Sequence, residues 1–127
     1  MKILKNGGDS MVYHATNGQE EFDVEVLDCE NKLDASTMVK LKQRMNLFVK
    51  RNRKNVLLDL TKTRQVDLAG LGLLIERLRT LRALNGDIKL CNIRRQVSDT
   101  LRLVGVSKLI ESYDSREEAL RSFCCPQ

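Results

Sequence analysis

Between residues 56 and 60 the chain reads Val-Leu-Leu-Asp-Leu, apolar at all but one position, the pattern of a strand covered on both faces within a parallel or mixed sheet. A polar turn follows over residues 61–66, and from Leu68 onward the apolar positions take up a helical period. At about 100° per residue, Leu71, Leu74, Ile75, Leu78 and Leu81 share one face, which the pattern assigns to the core. Leu73 and Leu84 fall on the opposite side in polar company, either as a partner-facing patch or as scattered surface leucines. A strand that hands its chain to a helix start in this way presents unpaired N–H groups and a positive dipole end, suited to a ligand or a partner.

The same reading extends in both directions. Met11 to Thr16 resembles a strand, Asn17-Gly18 is a hairpin dipeptide, and Phe22, Val24 and Val26 then alternate with Asp23, Glu25 and Leu27. The acidic face of this second strand places it near the edge of the sheet. Asp34 is an N-cap candidate for a helix carrying Met38, Leu41, Met45 and Phe48 at helical spacing and ending near Asn52. Downstream, Asn85-Gly86-Asp87 stops the central helix and residues 88–93 form a strand. Val97, Leu101 and Val104 mark a short helix that halts at Gly105, and an extended segment lies near Tyr113. Ser115 with Glu118 opens a terminal helix containing Ala119, Leu120 and Phe123. These elements predict an α/β fold, a single domain with a mixed central sheet and about four helices packed mainly on one face. Residues 1–9 read as a flexible lead-in, 10–123 as the domain and 124–127 as a short tail.

Composition adds limits rather than function. A chain of 127 residues that is 42% hydrophobic and 31% charged encloses one ordinary globular core. No apolar run approaches the roughly 18 to 20 residues of a membrane helix, and no signal core follows the N-terminus, so the expected location is cytoplasmic. The net charge of +5 is spread over helix ends and surfaces, without the aromatic residues or recognition helix that nucleic-acid binding favours. Cys29, Cys91, Cys124 and Cys125 form no Cys-x-x-Cys pair, and His14 is the only histidine. No metal site or cofactor is expected.

Enzyme readings of the central stretch fail on their own chemistry. Gly70-Leu71-Gly72 has no third glycine to complete a dinucleotide fingerprint. Asp59-Leu60-Thr61-Lys62-Thr63 after an apolar strand is like the aspartyl-phosphate motif of magnesium-dependent phosphotransferases, but no later strand end supplies the carboxylates that would hold the metal. A triad has a single imidazole to draw on, on an early strand. A non-enzymatic role is the expectation.

Three ordered segments carry a family resemblance: residues 31–37 (Asn-Lys-Leu-Asp-Ala-Ser-Thr), 56–60, and 66–74 (Val-Asp-Leu-Ala-Gly-Leu-Gly-Leu-Leu). With residues 85–90, 101–106 and 117–123 they are similar to the successive signatures of STAS domains, the anti-sigma-factor antagonists of bacteria. The resemblance implies a protein-binding switch in signal transduction and transcription regulation, whose partner is a kinase-like anti-sigma factor. It also implies that the position of Ala69 is the phosphoacceptor serine, in a segment that usually reads Asp-Ser-Ser-Gly-Leu. Here Leu68 and Ala69 replace both serines, and Ala69 has no hydroxyl to accept phosphate. The expected docking surface comprises Asp34, Ser36, Thr61, Thr63, Asp67, Leu68, Ala69, Gly70, Leu71 and Leu73. Ser36, Thr61 and Thr63 are the hydroxyls to which a displaced switch would move. The alternative within the family is an accessory or scaffold subunit of a signalling or lipid-transport assembly.

Overall fold

A computed structural model describes residues 2–5, 11–17 and 20–124. The hairpin pattern yields β2 (Met11–Asn17) and β3 (Glu20–Asp28), paired antiparallel with His14 opposite Asp23. Gly18, in the expected turn, lies outside the described residues. A further strand, β1 (Lys2–Lys5), pairs antiparallel with β2, within the stretch that the sequence pattern leaves as a lead-in. The parallel part of the sheet consists of β3, then β5 (Asn55–Asp59), β7 (Asp87–Cys91) and β8 (Ser112–Tyr113), giving the order β1-β2-β3-β5-β7-β8. Two strands of two residues each, β4 (Lys32–Leu33) and β6 (Gln65–Val66), pair separately in parallel.

Strand alternation sorts the core into two layers, because successive side chains point to opposite faces. Leu27, Val56, Leu58, Ile88 and Leu90 meet three helices on one face: α1 (Ala35–Lys50), α2 (Leu68–Ala83) and α3 (Arg95–Leu103). Val24, Val26, Leu57 and Cys91 meet α4 (Arg116–Cys124) on the other. Both faces of β5 are therefore dry, as its unbroken apolar run predicts. Truncating a fully buried leucine such as Leu57 or Leu58 to alanine removes about 2–5 kcal/mol.

Local chemistry fixes the helix limits. Asp34 Oδ1 accepts from Thr37 N at 2.9 Å and Asp67 Oδ1 from Gly70 N at 2.7 Å, each satisfying a donor that the first helical turn leaves without an internal partner. Asn52 and Asn85 close α1 and α2 in the left-handed region, at φ 60° and 66°, which asparagine tolerates better than most residues. Gly105, at φ 83°, performs the corresponding turn after α3. Ser115 Oγ accepts from Glu118 N at the start of α4.

Two sequence readings need correcting. β3 lies inside the sheet, not near its edge, and the acidic residue Glu25 is buried beneath the α1 layer. Burial pushes its carboxyl up to about 7, against the charges of Arg44, Arg51 and Arg53. Cys124, read as the start of a tail, is the last residue of α4 and is buried; Cys125 lies outside the described residues.

Candidate functional site

The starts of α1 and α2 are held side by side by the small β4–β6 pairing. Arg64 N and Gln65 N both donate to Asn31 O, at 2.8 and 3.2 Å, and Asp67 N reaches Leu33 O at 3.3 Å. Gly70 makes this approach possible: a Cβ there would lie 2.2 Å from Leu33 O and 2.9 Å from Asp34 Cα, closer than atoms pack. Two segments more than thirty residues apart in sequence thereby become one surface, with the caps Asp34 and Asp67 at its rim. The Thr37 backbone N–H holds the Asp34 carboxyl below its ordinary value, the main cause of the shift.

The candidate residues divide sharply by exposure. Leu68 is 73% exposed, a large apolar side chain standing in solvent at the first turn of α2. Ala69, Asp67, Thr61 and Ser36 are also exposed, and Asp34 is half-buried. Leu73 is partly buried and, with Met38, Val39, Lys42, Glu76 and Arg77, lines a small groove between α1 and α2. Leu71 and Gly70 are buried, so they support the surface from beneath. Thr63 is fully buried, and its Oγ1 donates to Glu30 O at 2.7 Å. It braces the loop and presents no hydroxyl to a partner or a kinase, which removes it from the expected docking set.

Behind the surface lies a polar knot that sequence reasoning only touched. The parallel register puts Asp28, Asp59 and Cys91 at corresponding positions of β3, β5 and β7. Asp59 is 3% exposed. Its Oδ1 accepts from Thr61 N, at 2.9 Å, and from Thr61 Oγ1. Its Oδ2 accepts from Asn92 Nδ2 at 3.1 Å and Arg116 Nε at 2.6 Å. A second guanidinium nitrogen of Arg116 reaches Asp28 at 2.7 Å. Burial alone raises the Asp59 carboxyl, but the donors from Thr61, Arg116 and Asn92 together outweigh it and hold the group below the ordinary carboxylate range. The Arg94 side chain donates to Thr61 O at 2.9 Å and ties the loop to the start of α3.

Both oxygens of Asp59 are thus engaged by protein donors, which gives it a structural role at its strand end. Among the described residues no group of three or more histidine, cysteine or carboxylate side chains is placed to hold a metal ion. Cys91, beside the knot, is kept a thiol: burial first and the Asp59 charge second push it to about 12. Arg116 had one sequence signal, since it opens a helix at a position where cations face the positive dipole end and acids are favoured.

The STAS domain family model matches residues 16–119. The chain belongs to the STAS domain family. Its structure is similar to that of the Bacillus anti-sigma factor antagonist SpoIIAA in its unphosphorylated form, at 18% identity over 89% of this chain and 94% of that one, with a TM-score of 0.62. An anti-sigma factor antagonist from Mycobacterium paratuberculosis matches at 19% identity over 89% and 91% of the two chains, TM-score 0.67. A sulfate transporter family protein from Wolinella succinogenes matches at 16% identity over 77% and 82%, TM-score 0.69. At these identities the likeness to the solved structures is one of fold. No helix among the described residues is long and apolar enough to cross a membrane.

Proposed function

We propose that this STAS domain is a non-enzymatic regulator of the anti-sigma-factor-antagonist type, which docks on a kinase-like anti-sigma factor through the adjoining starts of α1 and α2. The observation that carries the reading is Leu68. A leucine 73% exposed on a surface rimmed by Asp34 and Asp67 leaves apolar area in water that a protein partner would cover. Docking is constitutive with respect to the site at Ala69. Phosphorylation of a hydroxyl there would add charge and bulk to an interface, and alanine offers no acceptor atom. SpoIIAA has been solved in phosphorylated and unphosphorylated forms, and this chain is the counterpart that stays in one of the two states.

The fold likeness to a sulfate transporter family protein favours a second reading, in which the same surface joins a larger assembly as an accessory subunit. Calorimetric titration against a purified histidine-kinase-like anti-sigma factor from the same genome separates the two. The first reading expects binding by the wild type and loss of binding by Leu68→Arg at unchanged melting temperature. Equal affinity of L68R removes this surface. Mass spectrometry after incubation with that kinase and Mg-ATP is expected to find the chain unmodified; phosphate on Ser36 or Thr61 overturns the constitutive part.

A further inference from the structure

Away from the docking corner, the outward side of α1 is a run of cations without acids. From residue 35 to residue 54 the chain carries Lys40, Lys42, Arg44, Lys50, Arg51, Arg53 and Lys54 and no acidic residue. Lys40, Lys42, Lys50 and Arg51 are exposed. Among the described residues none of the three lysines lies within ion-pair distance of a carboxylate. Arg53, by contrast, is paired with Asp23 at 2.8 Å. Val39 and Leu47, 51% and 61% exposed, stand with Gln43 along the crest of the same helix at spacings of four residues. The neighbouring α2 is joined to α1 through Arg77 and Asn46 at 3.3 Å. It adds exposed Arg79, and Glu76 is its only acidic residue.

We propose that this α1 face rests on an anionic lipid surface. A helix about 24 Å long, lying flat with lysines on both flanks and isolated aliphatic side chains on its crest, matches what a charged headgroup layer asks for. That match consists of dispersed positive charge plus shallow apolar contact. The surface lacks what other polyanions or a tight protein interface would use. Its crest carries no aromatic residue for stacking on bases or anchoring a partner, since Phe48 of α1 is buried. The charge is also concentrated on this side: α4, on the opposite face, balances Arg116 and Arg121 against Glu117 and Glu118. The inference does not depend on the docking reading, because Leu47 and Lys50 lie at the far end of α1 from Asp34 and Leu68.

Cosedimentation of the full chain with phosphatidylcholine vesicles, with and without phosphatidylglycerol, tests it. Binding is expected to require phosphatidylglycerol and to fall at high salt. The double reversal K40E/K50E removes two cations and adds two anions, and is expected to weaken it by at least about 30-fold, and Leu47→Ser several-fold. The matched reversal K108E/R121E, at exposed positions off α1, changes the net charge equally and is expected to leave most of the binding intact. Thermal melts of both double variants establish that the fold is retained. Absence of vesicle binding, equal binding without phosphatidylglycerol, or equal weakening by the control pair overturns the inference. A DNA duplex bound more tightly than the vesicles also overturns it, assigning the face to nucleic acid.

Discussion

The docking corner and the knot behind it use the same residue, aspartate, in opposite ways. Asp34 and Asp67 each accept from a backbone N–H three residues ahead, so their hydrogen bonds are local. Asp59 gathers Thr61, Asn92 and Arg116 from three parts of the chain, the last of them 57 residues away. Carboxylates bonded locally leave a surface available for recognition, whereas one bonded across the fold is spent on holding it. The two meet at Thr61, whose loop runs from the knot to β6 and the start of α2.

The largest way to break this contrast is Asp59→Ala. Removing the buried carboxylate leaves Asn92, Thr61 and the Arg116 Nε without their acceptor, while Asp28 still holds the other guanidinium nitrogen, at a cost of about 3 kcal/mol, read as a shift in the urea midpoint. The wild type also carries a pH signature. Because the native carboxyl is held below its unfolded value, its contribution is present above the unfolded pKa of about 3.9 and is lost as pH falls through the native one. An acid titration of stability is therefore expected to be shallower for Asp59→Asn than for the wild type. A D59A protein as stable as the wild type would dissolve the distinction between the two regions.

Glu25 sharpens it by showing burial without donors. It is 5% exposed on β3, with arginine charges nearby and no hydrogen bond among the described residues. Its carboxyl, raised from 4.5 to about 7 by burial, keeps a proton that the unfolded chain has already released. The native state then binds more protons than the unfolded state between about pH 4.5 and 7, so this group lowers stability as pH rises through that window. Glu25→Gln is expected to raise stability by about 1–3 kcal/mol at pH 8 and to change little below pH 4. Urea midpoints of the two proteins across that range check the sign. A destabilised E25Q at pH 8 means that the arginine charges outweigh the desolvation.

How much of this was legible follows from the distance over which each feature acts. Helical periodicity and caps are local, so the core faces of α1 and α2 and the capping roles of Asp34 and Ser115 could be read directly. The unbroken apolar run likewise gave β5 its two dry faces. β4 and β6 were missed because two residues carry no period, yet they join the two helix starts into one surface. Thr63 looked like any loop threonine, since its acceptor, Glu30 O, comes from a distant segment. The alternation through Glu25 was read correctly but its acidic face was assigned to water, because sequence alone does not say which strand receives a helix above it. Asp59 stood out only as part of a motif and Arg116 only by its place in a first helical turn; the parallel register is what brings Asp28 and Asp59 together beneath one guanidinium.

The smallest effect on stability separates capping from recognition at Asp67. Asp67→Ala removes the acceptor for Gly70 N and is expected to cost about 1 kcal/mol. Asp67→Ser keeps a side-chain oxygen in reach of that N–H and is expected to recover most of the loss, since serine caps nearly as well as aspartate. Among the described residues, however, Asp67 is exposed and its Oδ1 takes the capping bond, with no hydrogen bond to Oδ2. If that charge meets the partner, D67S regains wild-type stability while its affinity stays near that of D67A. Recovery of affinity along with stability would reduce Asp67 to a cap, leaving Leu68 as the contact on which the docking proposal stands.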